Sequence, residues 1–146
     1  MTRYRFGFHP NELIFIRVDA EFPFGPDSVL QARPLRPAID MYEMEDALIV
    51  KVELPGVQVE HIDITLSEET HQLLVRGERK ESVADIEGRR RCHHLEIYYG
   101  AFERLIALPP ELRFDAENLS AHYRDGFLIV RLPLLPAARR IQVESS

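Results

Sequence analysis

Six histidines and a single cysteine carry the most reactive side chains of this chain, and only Cys92-His93-His94 gathers them. Thiolate and imidazole together are common zinc ligands. In an extended stretch Cys92 and His94 share one face while His93 points away. Two ligands fall short of a closed tetrahedral site, so a metal would need two more from a second chain. Plain surface side chains are the simpler reading, and no metal is expected. A third reading makes Cys92 a redox-sensitive thiol that cross-links subunits, with Arg91, His93 and His94 favouring the thiolate. Glu43, Glu45 and Asp46 form an acidic cluster that an exposed strand turn explains. No glycine-rich loop runs into Lys-Ser or Lys-Thr, so use of ATP is not expected. No catalytic residue and no cofactor site emerge, and the chain is read as a non-enzyme.

The chemistry that remains is association. Ile141-Gln142-Val143 ends a polar tail. In an extended segment both aliphatic side chains point the same way. After a flexible linker they can enter two adjacent pockets on a sheet edge, a form of strand addition. Burying both is worth about 3–6 kcal/mol gross, and ordering the tail offsets much of it. Such contacts are weak singly and strong when many close one assembly. A frayed tail with two chance aliphatics is the competing reading. At the other end, Phe6, Phe8, Phe15, Phe22 and Phe24 place five of the eight phenylalanines in the first quarter. Exposed aromatics of this kind mark a contact surface. The alternative is an extra edge strand packed on the domain.

These features need a body to carry them. The chain has 146 residues, 45% hydrophobic and 29% charged, with a formal net charge of −6. That length and mix suit one globular domain with short tails. A negative body gains nothing from counterion release on a phosphate backbone, so nucleic acid is not expected as a partner. The same charge argues against an anionic membrane, and no stretch has the length of a membrane-spanning helix. One cysteine excludes an internal disulfide and fits a reducing compartment. The run Leu13–Ile16 is too short for a signal-peptide core, so a cytoplasmic location is expected. The basic residues are nearly all arginine, with lysine only at Lys51 and Lys80. Arginine suits bidentate carboxylate pairing at subunit contacts, and codon bias accounts for it equally well.

The pattern divides the chain into three. Residues 1–36 form a Phe-rich arm, broken by Pro10, Pro23, Pro26 and Pro34. Residues 37–133 read as short strands. In Ala47–Glu53, Leu48, Val50 and Val52 share a face; in His61–Leu66, Ile62, Ile64 and Leu66 do. Gln72–Arg76 and Ile97–Leu108 follow, with a charged, exposed excursion over Glu78–Arg91 between them. Ser120–Tyr123 and Phe127–Leu132 flank Asp125-Gly126, a pair that tolerates the positive φ of a type I′ hairpin turn. Pro55-Gly56 demands another turn after a strand. The best helical candidates are one-turn pieces near Glu111–Asn118. Many short strands between turns imply an all-β sandwich or barrel. Residues 134–146 form a C-terminal extension, opened by Pro133 and Pro136.

Six motifs in order resemble the small heat shock proteins of the α-crystallin family, in their bacterial and plant class. They are Pro37-Ala38-Ile39-Asp40-Met41-Tyr42-Glu43, Val52-Glu53-Leu54-Pro55-Gly56-Val57, Val75-Arg76-Gly77-Glu78-Arg79-Lys80, Tyr99-Gly100-Ala101-Phe102-Glu103-Arg104, Ala121–Leu128 with its Asp-Gly hairpin, and Ile141-Gln142-Val143. The resemblance implies an immunoglobulin-like β-sandwich with a flexible arm and a C-terminal extension. It places Arg104 at a dimer interface, paired with carboxylates of the partner chain. It also implies a dimer made by exchange of a strand after Gly77. Ile86–His94, including Arg91 and Cys92, would supply that strand from a loop shorter than is common. The implied function is an ATP-independent holdase acting as a homo-oligomer on unfolding client proteins. The alternative is a co-chaperone-type sandwich module with one defined protein partner, a monomer or dimer without the terminal anchor.

Overall fold

The computed structural model describes residues 2–9, 12–18, 35–136 and 142–145, with side chains from residue 16 onward. Among the described residues nine strands form two sheets. Strands β3 (Ile39–Glu43), β4 (Ala47–Glu53), β8 (Ser120–Arg124) and β9 (Phe127–Pro133) make a four-stranded antiparallel sheet in the order β3-β4-β9-β8. Strands β1 (Thr2–His9), β2 (Glu12–Val18), β5 (Ile62–Ser67), β6 (Gln72–Arg79) and β7 (Gly100–Ala107) make the second, in the order β1-β2-β5-β6-β7.

Period-two alternation builds the core. Leu48, Val50 and Val52 of β4 face Ile62, Ile64 and Leu66 of β5, and all six are buried. Leu73 and Val75 of β6, Phe102 and Ile106 of β7, and Leu128, Val130 and Leu132 of β9 complete it. Each such side chain contributes about 1.5–3 kcal/mol on burial. The result is the aligned packing of two sheets across one apolar layer.

Two turns meet at one end of the sandwich. Asp125 and Gly126 take φ of 55° and 85°, the positive pair that a type I′ turn requires. Gly56, at φ 73°, closes the turn that begins at Leu54, whose carbonyl accepts from Val57 N–H at 3.4 Å. The turns are tied together. Leu54 N–H donates to the Gly126 carbonyl at 2.7 Å, and the Tyr123 hydroxyl donates to the Leu54 carbonyl at 2.6 Å. Burial raises the Tyr123 hydroxyl above its ordinary pKa.

The structure departs from the sequence reading at two places, and in the arm it follows the edge-strand alternative. No helix forms near Glu111–Asn118. The Asp115 carboxylate accepts from Glu117 N–H and from the Asn118 amide instead, at 3.1 and 2.6 Å. Such a local side-chain bond competes with helix formation. Among the described residues the helical pieces are a 3-10 turn at Val59–His61 and the single-turn α1 (Val83–Ile86). The strand expected from Ile97 begins at Gly100, because its partner β6 ends at Arg79, the last rung of the ladder. Finally, residues 2–9 and 12–18 of the arm are strands within the second sheet. They pair antiparallel with each other, and β2 pairs in parallel with β5.

Candidate functional site

The loop between β6 and β7 is held at its base and open at its tip. Arg79 Nε and Nη2 donate to the Tyr98 carbonyl at 2.9 and 2.7 Å, and Nη1 donates to the Pro55 carbonyl at 3.2 Å. The same guanidinium lies 5.9 Å from the centre of the Tyr99 ring, within cation–π range. Ser82 caps α1 by accepting from Ala84 N–H at 3.3 Å. Arg89 folds back to pair with Glu81 and donates to the Asp85 carbonyl. Beyond these ties, residues 90–97 are all exposed.

Ile86, Arg91, Cys92 and His94, the expected dimer contacts, all lie on this exposed loop. They form no strand within the single chain: Ile86 ends α1, and the segment after it is irregular. His94 Nε2 lies 3.1 Å from a Glu96 carboxylate oxygen in an exposed pair. Among the described residues no group of three His, Cys, Asp or Glu could hold a metal ion. In the acidic cluster, Asp46 accepts from Arg131 at 2.7 Å. That hydrogen bond holds its carboxyl below the usual range.

The loop also carries residues that were not singled out as sites. Leu95, Ile97 and Tyr99 are 72%, 69% and 41% exposed. Their spacing of two puts them on one side of an extended segment. The signal was the alternation itself, read as the start of a core strand. In the other sheet β3 pairs only with β4, so its outer edge is unpaired among the described strands. Met41, Tyr42 and Met44 on and beside it are exposed. An open edge strand next to apolar side chains is a template for pairing with another chain.

Arg104 sits on β7 opposite Val75. It falls between Phe102 and Ile106 on the inward-facing side of the strand, and both of those are buried. Its Nε is buried with no hydrogen-bond partner among the described residues. A buried guanidinium nitrogen left unpaired is costly, and a carboxylate from outside the single chain would relieve it.

The edge of β5 away from β6 holds the remaining apolar seat, and β2 occupies it. Ile16 and Val18 of β2 lie opposite Ile64 and Leu66 there, and are 0% and 7% exposed. They belong to the same core as Ala121 of β8, and β2 packs on β8 as well. Between them Arg17 points outward to Asp63 at 3.2 Å, and Arg76 reaches the other Asp63 oxygen at 3.7 Å. In the tail, Val143 is 88% exposed. Ile141, Phe22, Phe24 and the side chains of Phe6, Phe8 and Phe15 lie outside the described residues.

Comparison with known proteins agrees with this geometry. Residues 40–144 match the Hsp20/alpha crystallin family. The chain is 32% identical over 124 residues to small heat shock protein C2 of Rickettsia felis, covering 85% of this chain and 77% of that protein. Among solved structures, heat shock protein 16.0 from Schizosaccharomyces pombe superposes with a TM-score of 0.60 at 28% identity, over 77% of this chain and 98% of that one. A small heat-shock protein from Xylella fastidiosa, described as having a distinct high order structure, gives 0.54 at 31% identity, over 75% and 96%.

Proposed function

Because the chain belongs to the Hsp20/alpha crystallin family, we propose that it is an ATP-independent chaperone of the holdase type, which binds partly unfolded proteins and prevents their aggregation while assembled as a homo-oligomer. The observation that carries the self-association in this reading is the row Leu95, Ile97, Tyr99, left open to water on a loop whose base is firmly tied. Contiguous exposed apolar side chains of this kind mark a protein-binding surface. The chemistry is burial of apolar area, which needs no nucleotide and no catalytic group.

On this reading the loop and the open edge of β3 form the contact within a dimer. Ile86, Arg91, Cys92 and His94 flank the apolar row, and Arg104 receives a carboxylate from the partner chain. Ile141 and Val143 link dimers into larger assemblies. The high-order structure described for the Xylella fastidiosa protein supports this by analogy. Phe6, Phe8, Phe15, Phe22 and Phe24 contact clients, whose identity matters little to a surface of repackable aromatics. The net charge of −6 favours neither nucleic acid nor anionic membrane as a partner. The single, exposed Cys92 suits a reducing, cytoplasmic setting.

Native mass tests the assembly. The intact chain is expected to run as a large oligomer, and a chain ending at Leu135 as a dimer or small species. A co-chaperone-type module would give the same small species for both, and that result would remove the anchor role of Ile141 and Val143.

A further inference from the structure

Arg79 is the last residue of β6, and its ladder partner Gly100 is the first of β7. Residues 80–99 leave the sheet between them. One closed rung fixes little of so long a loop, because every residue in it carries freedom that ordering must remove. The Arg79 side chain supplies the missing fixation. Nε and Nη2 hold the Tyr98 carbonyl, 19 residues on, and Nη1 holds the Pro55 carbonyl. Pro55 belongs to the turn after β4, which Leu54 joins to the β8–β9 hairpin through Gly126 and Tyr123. One guanidinium therefore ties the returning end of the loop to both sheets. Tyr98 is fixed from its other side as well: its hydroxyl donates to the Ala101 carbonyl at 2.8 Å. Gly100, at φ 147°, makes room for this, since a Cβ there would stand 2.8 Å from that hydroxyl. Tyr99 comes between, with its ring facing the same guanidinium.

We propose that Arg79 is the positioning residue of the dimer contact: by gripping Tyr98 and facing Tyr99 it presets where the row Leu95, Ile97, Tyr99 stands for a partner chain. This rests on the proposed contact at that loop and goes beyond it, since Arg79 lends the partner no contact of its own. Its hydrogen bonds and its ring contact are all made within one chain. A loop that is loose before association must be ordered during it, and that cost is subtracted from the affinity. With the neck gripped, the ordering left for binding is confined to the open residues 90–97. Arginine suits this task and lysine does not. The planar fork reaches two carbonyls on different elements at once, whereas an ammonium is a point charge on a flexible stem. Arg89 shows the contrast. It ties only to Glu81 and Asp85, within the loop itself, and so fixes nothing relative to the sheets.

The test uses the full chain carrying Ile141→Ser/Val143→Ser, in which a dimer is the expected species, and reads its dissociation constant by sedimentation equilibrium. Arg79→Met keeps the apolar stem and removes every donor. It is expected to weaken the dimer by about tenfold or more, while the urea midpoint of the dilute monomer changes little. Amide hydrogen exchange is expected to quicken at Leu95–Tyr99 and to stay unchanged in β4 and β5. Arg79→Lys, which reaches one carbonyl at a time, is expected to fall between the parent and the Met variant. A merely structural arginine would lower the urea midpoint and leave the dissociation constant of the folded chain unchanged, and that result overturns the inference. Should Arg79→Met fail to fold, the Lys variant decides: parental affinity in a folded Lys variant overturns it equally. Leu95→Ser/Ile97→Ser in the same background tests the loop contact separately. If that pair dissociates the dimer and Arg79→Met does not, only the role of Arg79 is lost. If neither alters the dimer, the contact at the loop is lost as well.

Discussion

Gly77→Ala is expected to destabilise the domain by about 3 kcal/mol, a large fraction of its total stability. Gly77 lies where β6 is flanked on both sides, paired with Ile62 of β5 and Phe102 of β7. A Cβ at this position would stand 1.9 Å from the His61 carbonyl oxygen and 2.8 Å from the Phe102 ring. The ring can swing, but the carbonyl is main chain just before β5 and cannot move without parting the strands. Phe102 is itself among the largest buried side chains, so displacing it opens the core. Domains of this size are stable by only about 5–15 kcal/mol. Urea unfolding followed by circular dichroism checks the result, and a midpoint equal to that of the parent chain would contradict it.

In a chain ending at Leu135, the pair Leu95→Ser/Ile97→Ser is expected to turn the proposed dimer into a monomer at micromolar concentration without loss of fold. Both side chains are more than two-thirds exposed in the single chain, so serine there removes nothing from the core. In a two-fold contact each change counts twice. Burying the two residues contributes about 3–6 kcal/mol per protomer before ordering costs, so their loss is worth several powers of ten in dissociation constant. Sedimentation velocity reads the outcome directly. A dimer that persists with unchanged affinity would move the dimer contact away from this loop. Arg104→Ala separates the same question from the other side: it removes the buried, unpaired nitrogen, and its effect on association shows whether a partner carboxylate meets it.

The sandwich was legible because its information is local. Leu48, Val50 and Val52 share one face with Ile49 and Lys51 on the other, and Asp125-Gly126 states its own turn type; both patterns sit within a few residues. What was not legible depended on partners far along the chain. Nothing near Ile97 says that β6 has run out by Arg79, so alternation alone starts the β7 strand three residues early. Nothing near Ile16 says that β2 will pair with β5, some fifty residues on. The five phenylalanines of the arm suggested a contact surface, and the alternation of Ile14, Ile16 and Val18 beside them passed unremarked. For Arg104 the motif identified the residue. That its Nε is buried and unpaired is a fact of packing, visible only once β7 is set between β6 and the rest of the core.

The central claim is that this chain keeps unfolding proteins soluble without nucleotide. Light scattering from a heat-aggregating client tests it most directly, with the intact chain added at ratios from well below to above one protomer per client and no ATP present. Scattering is predicted to fall steadily with added chain, already at substoichiometric ratios, with client and chain recovered together in soluble complexes. Undiminished scattering at every ratio, from a chain whose native mass shows the assembly intact, would contradict the account.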